Sequence, residues 1–203
     1  MLIFSKPSIP DRTEFIMGRS KDNPVMPMVE VGKTLVGLGA DFIAIPCITA
    51  HYFHDILLEG IKAPIIHIIK ETAQYLKGQG VQCAGVMATE GTIYSRLFQE
   101  ELMSNGIKPL IPSQQKQYYI TKLIYQNIKA NLPVEMDKFA EAGKELKDGG
   151  AEVIILGCTE LSLIKRDFDI GPGYIDAMEV LAMRSILLCE ADLKEEYHSL
   201  ITI

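Results

Sequence analysis

One segment of this chain occurs twice. Glu30–Cys47 reads EVGKTLVGLGADFIAIPC, and Glu141–Cys158 reads EAGKELKDGGAEVIILGC. Set against each other without a gap, Glu30/Glu141, Gly32/Gly143, Lys33/Lys144, Leu35/Leu146, Gly39/Gly150, Ala40/Ala151, Ile43/Ile154 and Cys47/Cys158 coincide. Each copy is a helical pattern, a glycine stop and a short apolar run that ends in cysteine. A unit of this kind present in two copies predicts two similar α/β lobes. Ligands of open α/β sheets bind beyond the carboxyl ends of strands. If the lobes face each other, both thiols look into one cleft.

The rest of the chain alternates in the same way, which predicts an α/β fold with parallel strands. Strands are expected at Leu2–Phe4, Phe42–Ile45, Pro64–His67, Ala84–Met87, Ile107–Ile111 and Val153–Leu156. Helices are expected at Met26–Leu38, His51–Leu58, from Ile68 through Lys77, Thr92–Ser104, Gln114–Ile128, Val134–Lys147 and Ala177–Leu188. The 203 residues suffice for one large or two small domains, and 48% of them are hydrophobic, so a sizeable core can be buried. A net charge of -6 argues against a nucleic-acid partner, which favours a basic face. No apolar run is long enough to span a bilayer, and MLIFSKPSIPDR lacks the layout of a secretory signal, so no membrane partner is expected. The four cysteines are far apart and form no C-x-x-C pair. Neither a disulfide framework nor a zinc knuckle is expected, and a reducing cytoplasm fits.

Cys83 and Cys189 lie inside apolar runs and read as small core residues. Cys47 and Cys158 stand where a strand stops and a helix begins. Backbone N–H groups at a helix start stabilise an anion and are expected to lower a thiol pKa. Two such thiols facing across a substrate can do symmetrical acid–base work. One thiolate takes a proton from a carbon, the opposite thiol returns one to the other face, and no cofactor is required.

PCITAH, LGCTEL and PDRT together resemble the cofactor-independent aspartate/glutamate racemase superfamily, the aspartate racemase branch most of all. The resemblance implies two pseudo-symmetric lobes with parallel four-stranded sheets flanked by helices and the active site between them. It places residues 1–62 with 174–203 in the first lobe and 63–173 in the second. It implies Cys47 and Cys158 as the catalytic bases, an amino-acid substrate, no cofactor and a homodimer. Arg12 matches the family arginine that holds the distal carboxylate, to which a guanidinium can donate two parallel hydrogen bonds; the other reading is an arginine capping a loop. Thr49 and Thr159 resemble residues that contact the amino-acid head, or else cap the following helix. Thr89, Gly91 and Thr92, in GVMATEGT, resemble the loop that brings donors to a carboxylate, with a plain N-cap at Thr92 as the alternative. Lys129 resembles the lysine that reaches the substrate, or complements a helix dipole. His51 and Glu160 read as tuning the thiols or as structural hydrogen-bond partners.

Two departures from the family pattern stand out. Ile48 follows the first cysteine where aspartate racemases usually carry Asn, and losing a hydrogen bond to a charged group costs roughly 1.5–3 kcal/mol. The chain also starts at what reads as the family's second strand, so the first lobe is expected to lack its first strand and one wall of the site. The reading is a racemase of an acidic amino acid, aspartate or possibly glutamate. A hydantoin racemase, a maleate isomerase, a decarboxylase and a catalytically dead binding paralogue stay open. A thiol redox protein is disfavoured, because its cysteines would have to meet.

Overall fold

The computed structural model describes residues 1–203. Its α/β class holds as expected, with parallel sheets flanked by helices, but the sheets differ in size. The smaller pairs β1 (Ile43–Ala44) with β2 (Ile65–Ile66). The larger contains β3 (Cys83–Ala88), β4 (Lys108–Leu110), β5 (Val153–Gly157) and β6 (Tyr174–Asp176), in the order β4-β3-β5-β6, every pair parallel. β3 and β5 are central and buried almost throughout, which is why they read as unbroken apolar runs.

The helices follow from the crossovers that parallel strands need. α1 (Arg12–Ile16) and α2 (Val25–Gly37) precede β1. A 3₁₀ turn, Ile48–Phe53, and α3 (His54–Ile61) lead to β2, and α4 (Ile68–Gly78) leads to β3. Between β3 and β4 lie α5 (Glu90–Tyr94) and α6 (Leu97–Ser104). α7 (Gln114–Lys122) runs into a π-helical turn, Leu123–Ile128, before α8 (Met136–Asp148). α9 (Thr159–Asp167) follows β5, and α10 (Ala177–Leu188) follows β6. No helix is long and apolar enough to cross a membrane.

The repeat has a physical meaning in each copy. Gly32 in α2 sits against Ile61, and a side chain at Gly143 in α8 would collide with the Tyr174 hydroxyl. Gly39 and Gly150 end the helices at φ +92° and +98°, a region closed to most L side chains. One apolar core then joins the two sheets: Ile48 and Ile66 pack with Val86, Ala88, Phe98, Ile155 and Ile175.

Several expectations are corrected. Leu2–Phe4 is not a strand; it is exposed and no neighbouring strand offers it a ladder. The expected Thr92–Ser104 helix is two helices, because Arg96 turns left-handed at φ +58°. The Ser95 hydroxyl donates to Gly91 O at 2.6 Å and closes α5 just before that point. β6 had no sequence signal strong enough to be expected, whereas α9 starts directly after Cys158, where a helix start was read. β6 extends the larger sheet, while α10 packs on α4 and reaches both β5 and β2. Cys189 is exposed at the end of α10, and Cys83 opens β3 half-buried, so neither is a full core residue.

Two measurements follow from this framework. Nothing crowds the Gly150 position, so Gly150→Ala tests backbone strain alone. It should cost about 1–3 kcal/mol in urea denaturation with an unchanged m value. Asp176 caps α10, accepting from Met178 N and the Ser162 hydroxyl at 2.8 Å each. Burial nevertheless raises its pKa from 3.8 to about 6. The folded state therefore holds this proton more tightly than the unfolded one. The associated stability is complete below pH 3.8 and is lost as pH rises through 6. Asp176→Asn keeps a cap acceptor without the charge. Relative to the parent it should gain up to about 3 kcal/mol between pH 4 and pH 7, and a flat difference would refute the assignment.

Candidate active site

Cys47 and Cys158 line one cavity, between the carboxyl ends of β1 and β5. Its volume is about 70 Å³, room for roughly five waters and so for a small polar molecule. Cys47 precedes the 3₁₀ turn and is half-buried; Cys158 is the N-cap residue of α9 and is buried. Both thiols are free.

The two sulfurs have opposite neighbours. Arg12, the first residue of α1, shares the cavity lining with Cys47 and interacts with it electrostatically. Its burial works against the guanidinium charge, but Cys47, Asp11 and Tyr125 outweigh that and raise its pKa. Arg12 Nη1 also donates to Pro10 O at 2.9 Å and Ile9 O at 3.2 Å. One edge of the fork closes its own loop, and the residue also lines the cavity.

Cys158 Sγ donates to Glu160 Oε2 at 2.8 Å, and the Thr159 hydroxyl donates to the same oxygen at 2.9 Å. Burial pushes the Cys158 thiol well up, and the charge of Glu160 adds to it. This overturns the expectation of a lowered pKa. The N-terminus of α9 is present, but desolvation and an adjacent carboxylate exceed what a helix dipole supplies. Near neutral pH this favours the Cys158 thiol over the thiolate.

The remaining wall comes from three places. Thr49, Thr89 and Thr92 form a buried triangle of hydroxyls, each pair 3.1 Å apart. Thr49 and Thr89 reach the cavity; Thr92 is fully buried behind them and does not. The cap of α5 is Thr89, which accepts from Thr92 N at 3.3 Å. Gly91 is also away from the cavity; a Cβ there would stand 2.9 Å from Thr13 Oγ1, so this glycine lets α1 and α5 touch. Ile48 contributes to the lining and buries its side chain in the shared core. His51 Nε2 donates to Ile45 O at 3.1 Å, and the residue does not line the cavity.

The π-helical turn brings Tyr125 and Lys129 to the cavity mouth. Lys129 Nζ lies 4.1 Å from the centre of the Tyr125 ring and 3.7 Å from Asp11 Oδ2, and Tyr125 Oη donates to that oxygen at 3.5 Å. Burial pushes Tyr125 up to about 12, so it remains a neutral donor. Asp11 and Tyr125 escaped the sequence reading. Asp11 lies inside PDRT, and Tyr125 stands one turn before Lys129, so both could have been found by proximity to residues already singled out.

The family profile described as Asp/Glu/hydantoin racemase matches residues 1–184. A broad-specificity amino-acid racemase of Bacillus subtilis is 28% identical over 188 residues, covering 92% of this chain and 80% of that protein. A solved aspartate racemase of Picrophilus torridus superposes with TM-score 0.79 at 26% identity, covering 97% of this chain and 82% of that one. An aspartate racemase homologue of Pyrococcus horikoshii superposes with TM-score 0.71 at 22% identity, covering 88% and 80%.

Glu160→Gln removes the charge beside Cys158 but keeps an acceptor. It should lower the thiol pKa and speed alkylation of Cys158 by iodoacetamide at neutral pH, about tenfold for each unit of lowering. Peptide mapping reads each cysteine separately. An unchanged rate at Cys158 would mean that burial alone holds the proton.

Proposed function

The chain belongs to the Asp/Glu/hydantoin racemase family, and on that premise we propose that it racemises an acidic amino acid, aspartate first, by proton transfer between Cys47 and Cys158 without pyridoxal phosphate. The observation that carries this reading is that both thiols line one cavity with opposite charges behind them. Two-base racemisation needs one base free and the other protonated. Arg12 places a positive charge on the Cys47 side, and burial with Glu160 holds a proton on the Cys158 side.

In this direction the Cys47 sulfur takes the α-proton, and the electron pair left on the carbon is delocalised into the substrate carboxylate. Cys158 S–H then delivers its proton to the opposite face. The products are the enantiomer, a Cys47 thiol and a Cys158 thiolate; the reverse reaction starts from that state. The backbone N–H of Glu160, at the start of α9, favours the Cys158 thiolate that forms. Arg12 and Lys129 are the cations available to substrate carboxylates, and Thr49 and Thr89 are the hydroxyl donors. Lys129 is already paired with Asp11, which leaves Arg12 as the principal carboxylate anchor.

Ile48 favours a second reading within the same chemistry, a less polar amino acid. A hydrocarbon at this wall offers nothing to a distal carboxylate, and the Bacillus subtilis relative is described as broad in specificity.

Incubation of single enantiomers of aspartate, glutamate and neutral amino acids in deuterated water is the test. α-Deuterium should appear as racemisation proceeds with no added cofactor. Cys47→Ser and Cys158→Ser should each lower racemisation by roughly 10²–10⁴-fold. Full-rate racemisation in either variant would end the two-base scheme, and binding without exchange by the parent protein would favour a dead binding paralogue.

A further inference from the structure

Away from the thiol cavity, three histidines converge. We propose that His51, His54 and His67 bind one divalent transition-metal ion of the zinc class. One ring nitrogen from each lies within 4.8 Å of the others. The ring centres are 5.1 Å apart for His51 and His67, 4.3 Å for His54 and His67, and 5.9 Å for His51 and His54. Tetrahedral binding at roughly 2.0–2.1 Å needs donors about 3.4 Å apart, so the half-buried His54 and His67 would have to rotate inward to close on the ion.

The hydrogen bonding points to a ligand rather than to packing alone. His51 is buried, 3% exposed, and its Nε2 is committed to Ile45 O at 3.1 Å. As a carbonyl only accepts, Nε2 carries the proton and Nδ1 presents a bare lone pair. That Nδ1 is buried without a partner, and so is Nδ1 of His54. An imidazole whose far nitrogen is held by a backbone carbonyl is the usual arrangement of a metal-bound histidine. His67 Nδ1 accepts only a long 3.4 Å bond from Lys70 N, weak enough to yield.

The surroundings admit a cation. His54 and His67 line an open groove that Glu101 also lines, so an ion has an entry path and a carboxylate beside it. Asp55 adds negative charge at His54, and Lys70 opposes it at both His54 and His67. Three imidazoles with no thiolate suit zinc, copper(II) or nickel(II) and leave a fourth position for water.

The ligands come from three segments: the 3₁₀ turn, the first residue of α3, and the junction of β2 with α4. A metal here would tie together the smaller sheet, which has only two short strands, and would anchor the turn that carries Ile48 and Thr49. The site is thus a structural staple, and its existence does not depend on the racemase reading.

The test is a zinc titration of the chelator-treated full-length protein by calorimetry, with melting followed against zinc concentration. One ion per chain and a melting temperature that climbs with zinc are expected. His54→Phe keeps the aromatic stack, and His67→Asn keeps a helix-cap acceptor; each should weaken zinc binding by about 100-fold or more. Cys47→Ser/Cys158→Ser should bind zinc like the parent, and cobalt(II) should give tetrahedral visible bands without sulfur charge-transfer absorption. Zinc binding absent from the folded parent, unchanged in both histidine variants, or lost with the cysteines would overturn the site.

Discussion

The three-hydroxyl contact between Thr49, Thr89 and Thr92 is the join on which the site depends. Thr49 stands two residues past Cys47, and Thr89 follows the last residue of β3. That last residue, Ala88, is paired in register with Gly157 of β5, and Gly157 precedes Cys158. A short path of one buried hydrogen bond and one strand pairing therefore runs from one thiol to the other. Gly157 permits it: a Cβ there would press on Phe98, Ala88 and Met87 O, all at 3.0–3.1 Å. The core of Ile48, Ile66, Val86 and Phe98 surrounds the join and keeps water from competing for the hydroxyls.

With the thiols held by this short path, electrostatics decides how they differ. The duplicated unit supplies a cysteine at the same place twice, yet the residues just outside the repeat break the symmetry. Arg12 arrives at Cys47 from α1, which precedes the first copy, and Glu160 arrives at Cys158 from the first turn of α9. A helix N-terminus alone would have made Cys158 an easy thiolate. Burial and a carboxylate at 2.8 Å reverse that, because burial disfavours any charge on the sulfur and the carboxylate disfavours a second negative one.

Much of the architecture was legible because it rests on short-range patterning. β3 and β5 are buried on both faces and read as apolar runs; the glycines at 39 and 150 mark helix ends because only glycine takes their φ comfortably. What escaped was context. Leu2–Phe4 has strand-like residues but no ladder beside it. Residues 174–176 are too few to carry a pattern, and only pairing with β5 makes them a strand. The break at Arg96 depends on a serine hydroxyl folding back onto its own helix, which apolar periodicity does not register.

By itself the sequence determined the α/β class, the duplication and the identity of the two thiols, since these follow from periodicity and from residue types at matched positions. Only the tertiary structure decided which side chains share the cavity. It sent Thr92 and Gly91 behind the wall and His51 out to a separate histidine cluster, and it brought Asp11 and Tyr125 in. It also decided the protonation of Cys158, because burial and a neighbouring charge are properties of the folded surroundings and not of the residue.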